Sequence, residues 1–198
     1  MAGTYYWFAW AAFIMSFFFL NSRSVYKDGL IIFLLIQMIS FTFFMKPYEN
    51  MSMFLCLEAC FGIYFWSERK QSVIGHLWAV LFIVLWSLIH ILLLTNPVWY
   101  LFPGATAGLV LLMYIIHVFH VSLNRQIGLW ILMNTLGILL VNSLRHPLGI
   151  DNFVDLMSLH TTLIKGIIIL MVLEGVQFVR RSTYKIRRKK RRQALSGL

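Results

Sequence analysis

Seven apolar stretches, Tyr5–Leu20, Gly29–Met45, Met51–Trp66, Leu77–Thr95, Ala105–Ser122, Gly128–Ser143 and Thr161–Phe178, take up most of a 198-residue chain. A helix crossing a bilayer needs about 20 apolar residues, or about 17 at the short end. These runs meet that need at its lower edge, which suits a thin bilayer or little tilt. They are continuously apolar rather than alternating, so they predict helices and not barrel strands. The connectors carry turn chemistry at Asn21–Ser24, Lys46–Asn50, Asn96–Pro97, Pro103–Gly104 and His146–Gly149. All four prolines fall in these connectors, so no stretch is interrupted by one.

Composition leads to the same class. Hydrophobic residues make up 60% of the chain and charged residues 12%, with a mean hydropathy of +0.79. A water-soluble domain carries about a quarter charged residues. The chain lacks the polar surface to face water all round, so its excess apolar side chains face lipid. The expected fold is an all-α membrane protein, a bundle of seven transmembrane helices over residues 1–179 followed by a basic tail at 180–198.

Charge placement orients that bundle. Nine of the seventeen Lys and Arg lie in Arg180–Arg192. With this end in the cytoplasm, the inner connectors hold Arg23, Lys27, Arg69, Lys70 and Arg125. Fourteen basic residues then lie inside, against Lys46 and Arg145 outside, as the positive-inside rule requires of an N-out, C-in chain. The net charge of +10 is thus a juxtamembrane feature. Lys185, Arg187, Arg188, Lys189, Lys190, Arg191 and Arg192 are expected against anionic inner headgroups. Without interleaved stacking aromatics beyond Tyr184, no nucleic-acid partner is expected. No Lys or Arg precedes Tyr5, so the N-terminus lacks the charged region of a cleavable signal peptide.

Aromatic residues near the stretch ends are expected as headgroup anchors: Tyr5, Tyr6, Trp7, Tyr48, Trp99 and Tyr100 outside, and Tyr26, Tyr64, Trp66, Trp78 and Trp130 inside. Cys56 and Cys60, one helical turn apart, read as small buried residues. There is no internal repeat of the kind that marks inverted-repeat transporters.

Ionisable and polar groups inside lipid are costly and carry the functional hypotheses. Glu58 is the deepest, midway along the third stretch and about 10 Å from either end. It reads as a neutral carboxyl hydrogen-bonded to a neighbouring helix, or as a proton- or cation-handling group. His117 and His120 share a face of the fifth stretch, but His90 is placed towards the other side of the membrane. Polar packing is therefore expected of the three rather than metal ligation. Lys165 can reach outward towards Asp151 and Asp155, beside Ser158, Thr161 and Thr162. A Schiff-base lysine of the retinal-protein kind is not expected, because Lys165 is near the outer end and residue 161 is Thr. Glu174 and Gln177 follow helical spacing towards Arg181, so Glu174 is expected to pair with the basic tail. No catalytic motif and no cofactor-binding motif is present.

The length, the aromatic first stretch from Tyr5, the seven apolar segments and the basic tail after Val179 together resemble the YphA family, small integral membrane proteins of spore-forming Bacillus relatives. The resemblance implies a Gram-positive cytoplasmic membrane and a role in sporulation or spore-envelope assembly, with no functional residues to carry over. The leading expectation is a non-enzymatic multi-pass membrane protein that supports envelope assembly through membrane-protein partners. One alternative is a small transporter or channel with Glu58 and Asn134 on its path. Another is a metal- or haem-binding redox protein using His117 and His120.

Overall fold

Uninterrupted apolar runs with their prolines in the connectors satisfy every backbone group within the helix, and the chain does fold this way. The computed structural model describes residues 2–20, 25–43, 51–68, 73–96, 98, 104–119, 122–145, 147–149 and 156–196. Among these, seven helices follow in order: α1 Ala2–Phe19, α2 Val25–Phe43, α3 Met51–Trp66, α4 Val73–Thr95, α5 Gly104–Phe119, α6 Leu123–Arg145 and α7 Leu156–Ser196. Most begin before the apolar stretch that announced them. Polar first turns are helical too, and hydropathy does not count them.

Local chemistry fixes the ends. Ser122 caps α6, its Oγ accepting from the Arg125 backbone N–H at 3.4 Å. The same hydroxyl donates to Glu68 Oε2 at 2.6 Å, and Asn124 donates to Glu68 Oε1 at 3.1 Å. A carboxylate just past α3 thus sits at the positive end of α6. At the end of α1, Lys27 Nζ donates to the Phe17 carbonyl at 2.8 Å, placing a cation at a helix C-terminus.

The centre of the bundle is α6, which packs on α3, α4, α5 and α7; α1 packs on α2 and α7. Residues 126–135 of α6 are all buried. Close approach of α3 to α6 depends on two glycines. A Cβ on Gly128 would meet the Trp66 backbone N at 2.5 Å, and one on Gly62 would meet the Leu132 side chain at 2.8 Å. Small residues at such crossings let backbones touch, the usual source of helix adhesion where lipid removes the hydrophobic driving force. Gly166 plays the same part for α7, receiving the Trp130 indole, whose Nε1 donates to the Leu163 carbonyl at 2.9 Å.

Residue pairs reveal direction. Tyr5 lies beside His160, Phe8 beside Lys165 and Ser16 beside Met171, so α1 and α7 run side by side in the same direction. Glu58 meets Thr135 and Phe65 meets Gly128, so α3 and α6 run oppositely.

The exterior is apolar: Trp7 is 81% exposed and Val73 77%, with Phe18, Ile74, Leu77 and Leu111 similarly outward. Such a surface belongs in lipid. Among the described residues, three helices are long and apolar enough to cross a membrane, over Val73–Thr95, Leu123–Leu144 and Ser158–Tyr184. Phe54–Trp66 and Gly108–Phe119 are shorter apolar helices.

Two expectations are corrected. Cys56 and Cys60 are exposed, not buried, because Glu58 and Leu55 turn α3's opposite face inward. Tyr5, Trp66 and Trp130 are core residues rather than anchors, whereas Trp7 and Trp78 do face outward. Tyr48, Trp99 and Tyr100 lie outside the described residues.

Finally, α7 continues without a break to Ser196. At 1.5 Å per residue it is about 60 Å long, roughly twice a bilayer's hydrocarbon thickness. From Val176 to Ser196 it contains neither Gly nor Pro, so the usual causes of a kink are missing.

A buried carboxylate–imidazole cluster

Burial of Glu58 follows from its place on α3, with Leu55 and Gly62 on the same inward face, and it is fully enclosed. Each neighbouring helix supplies a polar partner. From α2, Gln37 Nε2 donates to Oε1 at 2.7 Å. From α7, His160 Nδ1 stands 3.5 Å from Oε1. From α6, the Thr135 hydroxyl lies 3.3 Å from Oε2 and 2.9 Å from the Ile131 carbonyl.

The threonine has one proton for two acceptors. Turned towards Oε2, it donates to a carboxylate. Turned towards Ile131, it presents a lone pair to Oε2 and accepts a proton that Glu58 carries. The hydrogen bonds therefore accommodate both forms of the carboxyl.

Aromatic rings surround the imidazole. The centroids of Phe54, Phe41 and Tyr5 lie 4.6, 6.2 and 6.4 Å from that of His160, all edge-to-face. Tyr5 is held by stacking on Phe41 at 3.8 Å. Edge-to-face contacts of this kind fix the orientation of the imidazole beside Glu58.

Three buried polar atoms here are not fully satisfied among the described residues: Tyr5 OH and Gln37 Oε1 have no hydrogen-bond partner, and His160 Nδ1 has only its 3.5 Å approach to Glu58 Oε1. In a membrane interior an unpartnered polar atom costs several kcal/mol. Three on three different helices around one carboxyl make this the functional candidate of the molecule.

The other candidates from the sequence are scattered. Asn134 is buried and donates to the Trp130 carbonyl at 2.9 Å, its Oδ1 without a partner among the described residues. His90 packs edge-to-face with Trp86, and neither ring nitrogen has a partner among the described residues. His117 pairs with Gln126 at 3.1 Å, and His120 lies outside the described residues. Among the described residues no group of three or more His, Cys, Asp or Glu converges as a metal site would require. Lys165 stands over the Phe8 ring at 5.1 Å, while Asp151 and Asp155 lie outside the described residues. Glu174 Oε2 has no partner among the described residues, and Arg181 instead donates to Gln177 at 2.6 Å. The basic side chains from Lys185 onward are likewise outside the description.

Of the residues in this cluster, the sequence singles out Glu58, marks Tyr5 only as an anchor, and gives no prominence to Gln37, Thr135 or His160. Gln37 was detectable as the lone amide within an apolar run. His160 was hidden because it directly precedes the last apolar stretch, although α7 starts four residues earlier.

No curated protein and no solved structure significantly resembles the chain. Residues 3–195, nearly its whole length, match the family described as YphA-like integral membrane protein. Its all-helical fold, apolar exterior and this match agree, and the chain belongs to the YphA-like integral membrane proteins.

Proposed function

We propose that this chain is a seven-span, N-out and C-in protein of the bacterial cytoplasmic membrane that handles protons at Glu58, as a small transporter does. The observation that carries the functional reading is the buried Glu58–His160 pair, with a Thr135 hydroxyl beside Glu58 that can serve either form of the carboxyl. A buried ionisable pair in a membrane interior is expensive unless it is used.

The topology is supported by fourteen basic residues inside against two outside, and by α1 and α7 sharing a direction, as first and seventh spans do. Reporter fusions at Asn50, Asn96 and Asp151 are expected to read extracytoplasmic, and those at Arg69 and Leu198 cytoplasmic. A cytoplasmic reading at Asp151 contradicts seven spans. The basic run from Lys185 to Arg192, on the extension of α7, is proposed to meet anionic inner headgroups, each charge contributing about 1 kcal/mol near the surface.

Proteoliposomes holding a pH gradient test the transport reading. Wild-type protein is expected to dissipate the gradient at least tenfold faster than Glu58→Gln. Equal rates reject it.

A second reading, a non-enzymatic scaffold for envelope assembly, is favoured by one observation. The 2.7 Å bond from Gln37 to Glu58 ties α2 to α3, as a purely structural carboxyl would. On that reading Glu58→Gln keeps full activity, because the amide preserves size and hydrogen bonding.

A further inference from the structure

Resting on the proton-handling reading of Glu58, we infer that in this conformation the site is loaded from one end of the bundle, the end where α1 and α7 begin, and that His160 passes the proton.

Position along the helices makes the case. His160 is four residues from the start of α7, about 6 Å along its axis, and Tyr5 is three residues from the start of α1, about 4.5 Å. Glu58 is seven residues into α3, about 10 Å. The imidazole thus stands between the helix ends and the carboxyl. Its side chain keeps 10% exposure, while that of Glu58 has none.

The opposite direction is closed. One turn deeper, Phe33 packs on Phe61 with centroids 5.2 Å apart. Ala9, Leu34 and Ile164 fill the same level from α1, α2 and α7, all fully buried. Ser16, the next polar side chain on α1, is committed to the Ala12 carbonyl at 2.7 Å. Towards the far end of α1, Glu174 is fourteen residues past His160 on α7, about 21 Å along its axis, too far to exchange a proton with Glu58 directly.

The transfer involves a single proton. A hydronium ion at the α1/α7 end gives its proton to His160 Nε2. The ring then gives its Nδ1 proton to Glu58 Oε1, 3.5 Å away. His160 returns to neutral in its other tautomer, and the carboxylate becomes a carboxylic acid. No other bond changes. Among the described residues the titratable neighbours are Tyr5 and Tyr6 on α1 and Lys165 on α7, the last held over Phe8. Gln37 on α2 and Thr135 on α6 do not titrate.

The test uses full-length protein in vesicles sorted into two populations by which face is outward. The Glu58 carboxyl stretch is followed by infrared spectroscopy, assigned as the band missing from Glu58→Gln. After an external pH step, the band is expected to respond at least tenfold faster where the α1/α7 start faces outward, the other orientation following only at the rate of the transport cycle. His160→Gln and His160→Phe should each slow that response at least tenfold while leaving its final amplitude intact. Gln preserves polarity and Phe fills the cage, so a packing defect in one does not mimic the result in both. Equally fast response from both faces, or unchanged rates in both variants, overturns the inference and leaves proton handling standing. A band that responds from neither face rejects proton handling itself.

Discussion

Gly128→Leu is expected to leave no folded bundle, and even Gly128→Ala should lower the melting temperature sharply. A Cβ at this position would sit 2.5 Å from the Trp66 backbone N and 2.9 Å from both the Phe65 carbonyl carbon and its Cβ. Two of those three atoms are backbone, which cannot rotate away as a side-chain tip does. Overpacking a core costs about 1–3 kcal/mol when neighbours can shift, and separating two helices should exceed that. The damage would spread, because α3 carries Glu58 and α6 carries Thr135, both of the polar cluster. Gly3 and Gly108 meet nothing within 4 Å and serve as controls: alanine there should be nearly neutral. Thermal unfolding in detergent, with gel filtration to register aggregation, measures the series. Gly128→Ala melting with wild type would refute the α3–α6 contact.

The second large effect separates folding from function at one residue. Glu58→Leu should destabilise the protein strongly, since Gln37 Nε2 loses its acceptor in a membrane interior. Each buried group left unpaired costs about 1–3 kcal/mol. Glu58→Gln should melt close to wild type, its amide still facing Gln37 and Thr135. Yet it should be as inactive in proton flux as Glu58→Leu, because an amide has no proton to exchange at ordinary pH. An active, stable Glu58→Gln would move the residue from chemistry to architecture.

How legible this was depended on the kind of signal. The helices were readable because lipid demands long apolar runs and the chain confines proline to connectors. The third stretch, Met51–Trp66, coincides with α3 at both ends. Polar helix starts were missed, as at Leu156, four residues before His160. Glu58 stood out because a carboxyl amid Leu, Cys and Phe has no cheap explanation. Its partners did not, because Tyr5 near a chain end looks like an interfacial anchor. Only the parallel packing of α1 on α7 reveals that it points into the core, against Phe41 and His160. The cysteines failed for the converse reason. In lipid an outward face is as apolar as an inward one, so hydrophobicity could not tell that Cys56 and Cys60 look outward.

The central claim is that Glu58 changes protonation within the folded bundle, and carbon-13 labelling of the glutamate carboxyls reads this directly. The chain has four glutamates, Glu49, Glu58, Glu68 and Glu174, so Glu58→Gln assigns the signal by its loss. In lipid bilayers, the Glu58 carboxyl resonance is expected to move reversibly between acid and carboxylate positions as pH is varied, while the protein stays folded. A resonance fixed at one position over the whole range in which the bundle is folded would contradict the account.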